Sequence, residues 1–91
     1  MYQPEPATEK QHKYFVYLCK GIKGMTSPEM GKVEDHIVKR YELKNKEQNI
    51  EQKLWSFSDL NKDQMIIAID VVSRFYNGNY KDFVKNSEYQ L

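Results

Sequence analysis

Cysteine is almost missing from this sequence, because Cys19 stands alone among 91 residues. A disulfide within the chain is therefore excluded, and the composition favours a reducing compartment. Long apolar runs are missing as well, since none approaches the ~20 residues that a membrane-spanning helix needs. The first residues also lack the basic and then apolar pattern of a signal peptide. From these features we expect a cytoplasmic protein that does not enter a membrane.

Catalytic and metal-binding patterns are also lacking. The two histidines, His12 and His36, fall on different predicted helices, and no cysteine or histidine pair has metal-ligand spacing. No glycine-rich segment follows a strand pattern, so a phosphate-binding loop is not predicted. Glu34 and Asp35 are adjacent rather than facing, which is a poor arrangement for acid–base chemistry. We therefore expect a protein that is not an enzyme and that needs no cofactor.

Net charge is small, at +1, but aromatic side chains are abundant, at 13% of the residues. This aromatic content argues against a disordered chain, and the length suits one domain. Isoleucines and valines recur at helical spacing, and no β-branched run alternates with a period of two. We predict an all-α fold, a compact single domain of four or five helices in an orthogonal or bundle-like arrangement.

The most apolar segment, residues 61–77, has sequence features that mark both ends of a helix. Asn61 can cap its start, and Gln64 can reach back to close a capping box. Leu60 and Met65 occupy the two positions of a hydrophobic staple, and Gly78 suits a left-handed helix end. We predict that this segment is the central helix, on which the other elements pack.

Apolar side chains cover more than half of the circumference of this central helix. One stripe at helical spacing consists of Met65, Ala68, Ile69, Val72, Phe75 and Tyr76, and it is widened by Ile66, Ile67 and Val71. A helix that is apolar nearly all round is expected to be buried. We therefore expect Ile67 to lie in the core, so that Ile67→Asp should unfold the domain.

The helical domain is predicted to cover residues 8–86, with a flexible arm over 1–7 and a frayed tail over 87–91. Thr8 and Gln11 form a capping box for helix 1, and Gly21 and Gly24 are alternative ends for it. Its predicted core stripe consists of Phe15, Leu18, Cys19 and Ile22.

Helix 2 has two alternative starts. Ser27 can cap it with Pro28 at the first helical position, or Thr26 can cap it in a capping box with Glu29. Its predicted apolar face consists of Met30, Val33, Ile37 and Tyr41. The short link to helix 1 predicts that helices 1 and 2 are neighbours and antiparallel.

A kink or loop is predicted over residues 44–46, because the later apolar residues are out of phase with helix 2. Asn45 could then cap a short helix 3, and Trp55 and Phe57 would end it in an aromatic cluster that packs on helix 1. Asn79 is predicted to cap a last short helix through Lys85.

Positive charge is concentrated in residues 10–46, where nine lysines or arginines face four acidic residues, whereas residues 47–91 have five against seven. A basic helix face with tyrosines can contact phosphates and stack on bases. The simpler interpretation is a solvated face. The candidate partner-binding residues of this half are Lys10, Lys13, Tyr17, Lys32, His36, Lys39, Arg40, Tyr41, Lys44 and Lys46.

Two functional hypotheses follow. The chain has seven tyrosines, a residue favoured at protein interfaces, so the first is a small non-enzymatic protein that binds a protein partner. The second is direct binding of nucleic acid through the basic faces of helices 1 and 2. Self-association through an apolar patch is a third hypothesis.

The segment from Ala7 to Gln11, followed by Phe15 and Leu18, resembles the opening helix of small helical proteins of phages and prophages. The segment from Leu60 to Gln64, with Ile69, resembles the part of those proteins that precedes their final core helix. The long polar stretch between the two segments departs from that pattern. The resemblance implies a phage or mobile-element context, with an accessory factor or inhibitor in nucleic-acid metabolism or its control, and it supplies no catalytic residue.

Overall fold

The structure, a computed structural model, describes residues 5–91 and consists of four α-helices joined by short connections. The helices are α1 (Glu9–Val16), α2 (Ser27–Glu47), α3 (Lys62–Phe75) and α4 (Tyr80–Gln90), with a π-helical turn (Tyr17–Ile22) continuing α1 and a 3₁₀ turn (Phe57–Asp59) before α3. No β-strand is formed within residues 5–91, and the prediction of a small all-α single domain is confirmed. No helix in this part of the chain is long and apolar enough to cross a membrane.

Capping boxes begin three of the four α-helices. They pair Thr8 with Gln11, Thr26 with Glu29, and Asn61 with Gln64. In each box the N-cap side chain accepts a hydrogen bond from a backbone N–H that the helix leaves unpaired, which typically contributes about 1 kcal/mol. Thr26, and not Ser27, is therefore the cap of α2. Gly24 has φ 68° after the π-helical turn, so the first helical unit ends there rather than at Gly21.

The core is built around α3. α1, the π-helical turn and α4 all pack against α3, whereas α2 packs against α4 and the 3₁₀ turn. The largest fully buried side chains come from every helix and the connections, and they include Phe15, Ile37, Leu60, Met65, Tyr76 and Phe83. The predicted helix 1, which ends at Gly21 or Gly24, includes the π-helical turn, and this turn makes the contact with α2. Helices 1 and 2 are therefore neighbours, as predicted, while the α1 part of helix 1 lies against α3.

α3 is amphipathic rather than buried all round. Met65, Ala68 and Val72 are fully buried, but the side chains of Ile66 and Ile67 are 57% and 38% exposed. The expectation that Ile67 belongs to the core is wrong, because the elements packed on α3 leave the stripe containing Ile66 and Ile67 uncovered. The helix also ends at Phe75, two residues before the predicted end.

The π-helical turn explains why Ile22 leaves the core. Lys23 N–H donates to the Leu18 carbonyl at 2.9 Å, and Met25 N–H donates to the Cys19 carbonyl at 2.8 Å. These bonds span five and six residues, so the turn is wider than an α-helical one and rotates the residues after it. Ile22 is consequently exposed, and Met25 takes the buried position instead.

The predicted helix 3 does not form. α2 continues without a break to Glu47, and residues 48–56 are an irregular loop. Asn45 is therefore not a cap: it is a buried residue of the last turns of α2. Phe57 packs on Phe15 of α1, with ring centroids 4.4 Å apart, as predicted, but the side chain of Trp55 points into solvent.

Residues 5–7 are fixed to the start of α3. Ala7 N–H donates to the Leu60 carbonyl at 3.1 Å, and Lys62 N–H donates to the Glu5 carbonyl at 3.0 Å. The predicted flexible arm is therefore docked over these three residues, because they supply partners for the backbone next to the α3 cap. Residues 1–4 of that arm lie outside the described residues.

At the other end, α4 continues past Lys85 to Gln90. Ser87 is fully buried and Leu91 is buried as well. Both side chains hold the last turns of α4 against the domain, so the chain does not fray from residue 87 as expected.

Candidate interaction surface

The segment of residues 48–56, named here the Trp55 loop, is ordered by a carboxylate. Asp59 Oδ2 accepts hydrogen bonds from the backbone N–H of Trp55 at 2.8 Å and of Ser56 at 3.0 Å. Bonds to a carboxylate are stronger than neutral ones, so the backbone beside the indole has a defined position. At the start of the loop, Asn49 has φ 54°, a left-handed conformation that asparagine tolerates better than most residues.

A network of four amide side chains ties the Trp55 loop to the helices. Gln64 Nε2 donates to Asn45 Oδ1 at 3.2 Å, which joins α3 to α2. Gln52 of the loop accepts from Asn61 Nδ2 at 3.2 Å and donates to the Asp59 carbonyl at 2.9 Å. Asn45, Asn61 and Gln64 are all buried, and buried amides are costly to leave unpaired. The network therefore fixes the loop on the domain.

The indole of Trp55 stands at the rim of a groove of about 300 Å³ between the loop and the C-terminal half of α2. The side chain is 83% exposed although its loop is anchored. The groove is lined by Glu42, Asn45, Lys46, Ile50, Gln52, Lys53, Leu54 and Trp55. Ile50 and Leu54 supply aliphatic surface, and two lysines and one glutamate supply the charge.

Three of the candidate residues on α2 are engaged with α4. His36 Nε2 is hydrogen-bonded to the hydroxyl of Ser87, Arg40 Nη2 donates to the Glu88 carbonyl at 2.7 Å, and Lys44 Nζ donates to the Leu91 main-chain oxygen at 2.6 Å. These side chains hold two helices together. The interpretation of His36 as a solvated histidine is corrected, because it is half-buried and packs edge-on against the Phe83 ring.

Tyr41 is also unavailable to a partner. Its side chain is buried, and its hydroxyl donates to the Gln64 carbonyl at 3.1 Å. Burial raises the pKa of the Tyr41 hydroxyl far above its usual range. The remaining candidates on α2, Lys32, Lys39 and Lys46, are exposed and lie seven residues apart on one stripe.

The candidates on α1 all reach solvent. Lys10 and Lys13 are exposed, and Tyr17 is 60% exposed at the start of the π-helical turn. Lys13 pairs with Glu9 at 3.2 Å, but both side chains are largely exposed, and such a pair contributes little. The structure thus separates the predicted basic half into the α1 face and the Lys32–Lys39–Lys46 stripe.

Two titratable side chains of the interior have pKa values raised by burial. Burial raises the pKa of the Cys19 thiol to about 12, so it stays protonated and unreactive at neutral pH. Burial and the Glu29 carboxylate, which accepts the hydrogen bond of the Tyr76 hydroxyl, raise the pKa of Tyr76 to about 12. Within residues 5–91, no group of three or more histidine, cysteine or acidic side chains is arranged to hold a metal ion.

Comparisons with protein-family models, with curated proteins and with solved structures found no match for this chain. Sequence reasoning did not identify Trp55 as a surface residue, because it grouped Trp55 with Phe57. Polar residues on both sides of it, Gln52, Lys53, Ser56, Ser58 and Asp59, are the pattern that could have indicated an exposed loop.

Proposed function

We propose that this chain is a non-enzymatic binding protein that recognises a protein partner through Trp55 and the groove beside it. The exposure of the indole on an anchored loop is the observation that supports the proposal. Tryptophan is the side chain most enriched among residues that dominate binding energy at interfaces. A loop that is already ordered also loses less conformational freedom on binding.

The size of the indole makes it a strong anchor. A tryptophan buries about 150–250 Å² when it is covered, which at about 25 cal/mol per Å² corresponds to roughly 4–6 kcal/mol before the entropic cost of association. Ile50 and Leu54 extend the apolar surface into the groove, and Lys46 and Lys53 flank it. The arrangement suits a partner that covers the indole and inserts an apolar side chain beside a carboxylate.

We propose for this chain the role of an accessory factor or inhibitor, which acts by occupying its partner. A place in nucleic-acid metabolism or its control, and a phage or mobile-element origin, remain predictions that rest on the resemblance described above.

Selection of a random peptide library displayed on phage, with the wild-type chain as target, tests the proposal. Enriched peptides should bind the wild type in calorimetric titrations and should lose at least about tenfold in affinity with Trp55→Ala, since interface anchors typically contribute 2 kcal/mol or more. Tyr89→Ala is the matched control, because Tyr89 is an aromatic residue that is 82% exposed on α4.

Two results would count against the proposal. Peptides that bind Trp55→Ala as tightly as the wild type would place the recognition surface elsewhere. Sedimentation velocity that shows a wild-type dimer, dissociated by Trp55→Ala, would instead assign the indole to self-association.

A further inference from the structure

A second surface lies on the solvent side of α1. Tyr14 and Tyr17 are both exposed, and their ring centroids are 6.4 Å apart. Lys10 precedes Tyr14 by four residues, and Lys13 precedes Tyr17 by four. Residues four apart on a helix are surface neighbours, so each ring has a lysine one turn before it. These four residues are named here the α1 patch.

The backbone fixes the position of one ring. A Cβ atom at Gly21 would lie 2.9 Å from Cδ1 of Tyr17, so the absence of a side chain at Gly21 lets the ring rest on the π-helical turn. The π-helical turn thus supports an exposed aromatic side chain. Such turns are frequent at functional sites.

Positive charge predominates around the patch, where, among the described residues, Lys13 alone of its two lysines pairs with an acidic residue, Glu9 on the same helix, at 3.2 Å. From Lys10 to Pro28 the chain has four lysines and not a single aspartate or glutamate. Lys20 and Lys23 point their ammonium groups at neutral oxygens, those of the Ser27 hydroxyl and the Ser73 carbonyl. The α1 patch therefore lies in a region of positive charge, which complements a polyanion.

From this geometry we propose that the α1 patch binds single-stranded nucleic acid. The lysines contact phosphates, and the two tyrosine rings stack on bases, as in grooves that hold single strands without reading their sequence. The rings are inclined by 54° to each other, so they cannot hold one base between parallel faces, and each ring takes its own base. A duplex does not offer unstacked bases, which is why the single strand is the ligand.

This surface shares no residue with the Trp55 groove. Fluorescence anisotropy of labelled dT12 and rU12 oligonucleotides at low salt tests it, with a twelve-base-pair duplex and inorganic polyphosphate as competitors. We expect the wild type to bind the single strands, the competitors to displace them poorly, and log Kobs to fall with log salt with a slope of about −1.4 for two phosphate contacts.

Two variants act on the two parts of the patch. Tyr14→Leu with Tyr17→Leu should weaken binding by about tenfold or more, because stacking on each base contributes substantially. Lys10→Gln with Lys13→Gln should flatten the salt dependence. All four side chains are exposed, and thermal unfolding followed by circular dichroism verifies that the variants fold.

The matched controls remove the same chemistry from other surfaces. Lys32→Gln with Lys39→Gln removes two exposed lysines from α2, and Tyr89→Leu removes an exposed tyrosine from α4; both should bind like the wild type. Trp55→Ala should also bind the single strands like the wild type. A failure of the nucleic-acid proposal can therefore be distinguished from a failure of the protein-binding proposal.

Several results would overturn the proposal. They are the absence of oligonucleotide binding at low salt, equal binding by the duplex, displacement by polyphosphate as efficient as by unlabelled dT12, and tyrosine variants that bind normally. Normal binding by the tyrosine variants would indicate that the exposed rings contact a protein instead.

Discussion

Met65 and Ile66 are adjacent in α3, but the structure places Met65 in the core and leaves Ile66 57% exposed. Met65→Ala removes the thioether end of a fully buried side chain and leaves a cavity, which should cost about 2–5 kcal/mol. Ile66→Ala loses only partial packing and gains a little helix propensity. We therefore expect a change within about 0.5 kcal/mol.

Urea unfolding followed by circular dichroism measures both free energies, and unchanged m-values would show that the unfolded states are comparable. For a domain of this size each kcal/mol shifts the Tm by roughly 4–8 °C, so Met65→Ala should lower the Tm by at least about 8 °C. An Ile66→Ala variant as unstable as Met65→Ala would refute the orientation of α3, since it would mean that the uncovered stripe is in fact the core face.

Asp59→Ala should increase the hydrogen-exchange rates of the backbone amides of Trp55 and Ser56, because both lose the Asp59 carboxylate as their acceptor. Unchanged protection of these amides would show that other contacts hold the Trp55 loop. Asn49→Val should destabilise the domain by about 1–2 kcal/mol, because a β-branched residue does not tolerate the left-handed conformation, whereas Asn49→Gly should be nearly neutral in thermal unfolding. Burial and the nearby Arg40 lower the pKa of His36 in the folded state, so the unfolded chain binds the proton more readily, and the free energy of unfolding should fall as the pH drops below about 6.5. His36→Gln should reduce this pH dependence of the free energy of unfolding, measured by urea titrations at two pH values. A variant that keeps the full pH dependence would show that His36 is not its source.

The hydrogen bonds around His36 indicate where the cost of its protonation arises. The Ser87 hydroxyl lies within hydrogen-bond distance of the Val84 carbonyl, at 3.1 Å, and of His36 Nε2. A charged imidazole donates from both ring nitrogens, and when the Ser87 hydrogen is directed at the Val84 carbonyl the bond to His36 survives protonation. The cost of protonation comes from bringing a charge into a half-buried position beside Arg40.

Helix starts could be predicted from the sequence because capping is local. The boxes of Thr8 with Gln11 and of Asn61 with Gln64 each lie within four residues, and both form. For α2 the same local rules allowed two starts, and the reciprocal bonds of Thr26 and Glu29 selected one. The all-α class followed from helical spacing, which is also a short-range property.

The faces of the helices were harder to predict because they depend on which other elements cover them. Ile67 has the same chemistry as Ile37, but only Ile37 is buried. Ile22 left the core because of one wide turn, which helical spacing cannot indicate. Asn45 was interpreted as a cap, since its actual partner, Gln64, lies nineteen residues further along the chain.

The candidate residues differ in their accessibility. Lys10 and Lys13 on α1 and Tyr17 in the π-helical turn are exposed, but Tyr41 is buried, and Arg40 and Lys44 of α2 bond to the main chain of residues 88 and 91. A basic residue that bonds to the carbonyls of a distant helix cannot be distinguished, in the sequence, from one that is free to meet a partner. Trp55 was missed for the opposite reason, since a tryptophan is usually expected inside.

The chain has a single tryptophan, so its fluorescence reports on Trp55 alone. Acrylamide quenching of the folded chain, at concentrations where sedimentation velocity shows a monomer, measures directly whether the indole is in solvent. An indole that stands free on its anchored loop should be quenched nearly as efficiently as in the urea-unfolded chain, with little change in emission maximum. A blue-shifted emission that acrylamide does not quench would contradict the exposure of Trp55. The indole would then be part of the core and not available to a partner.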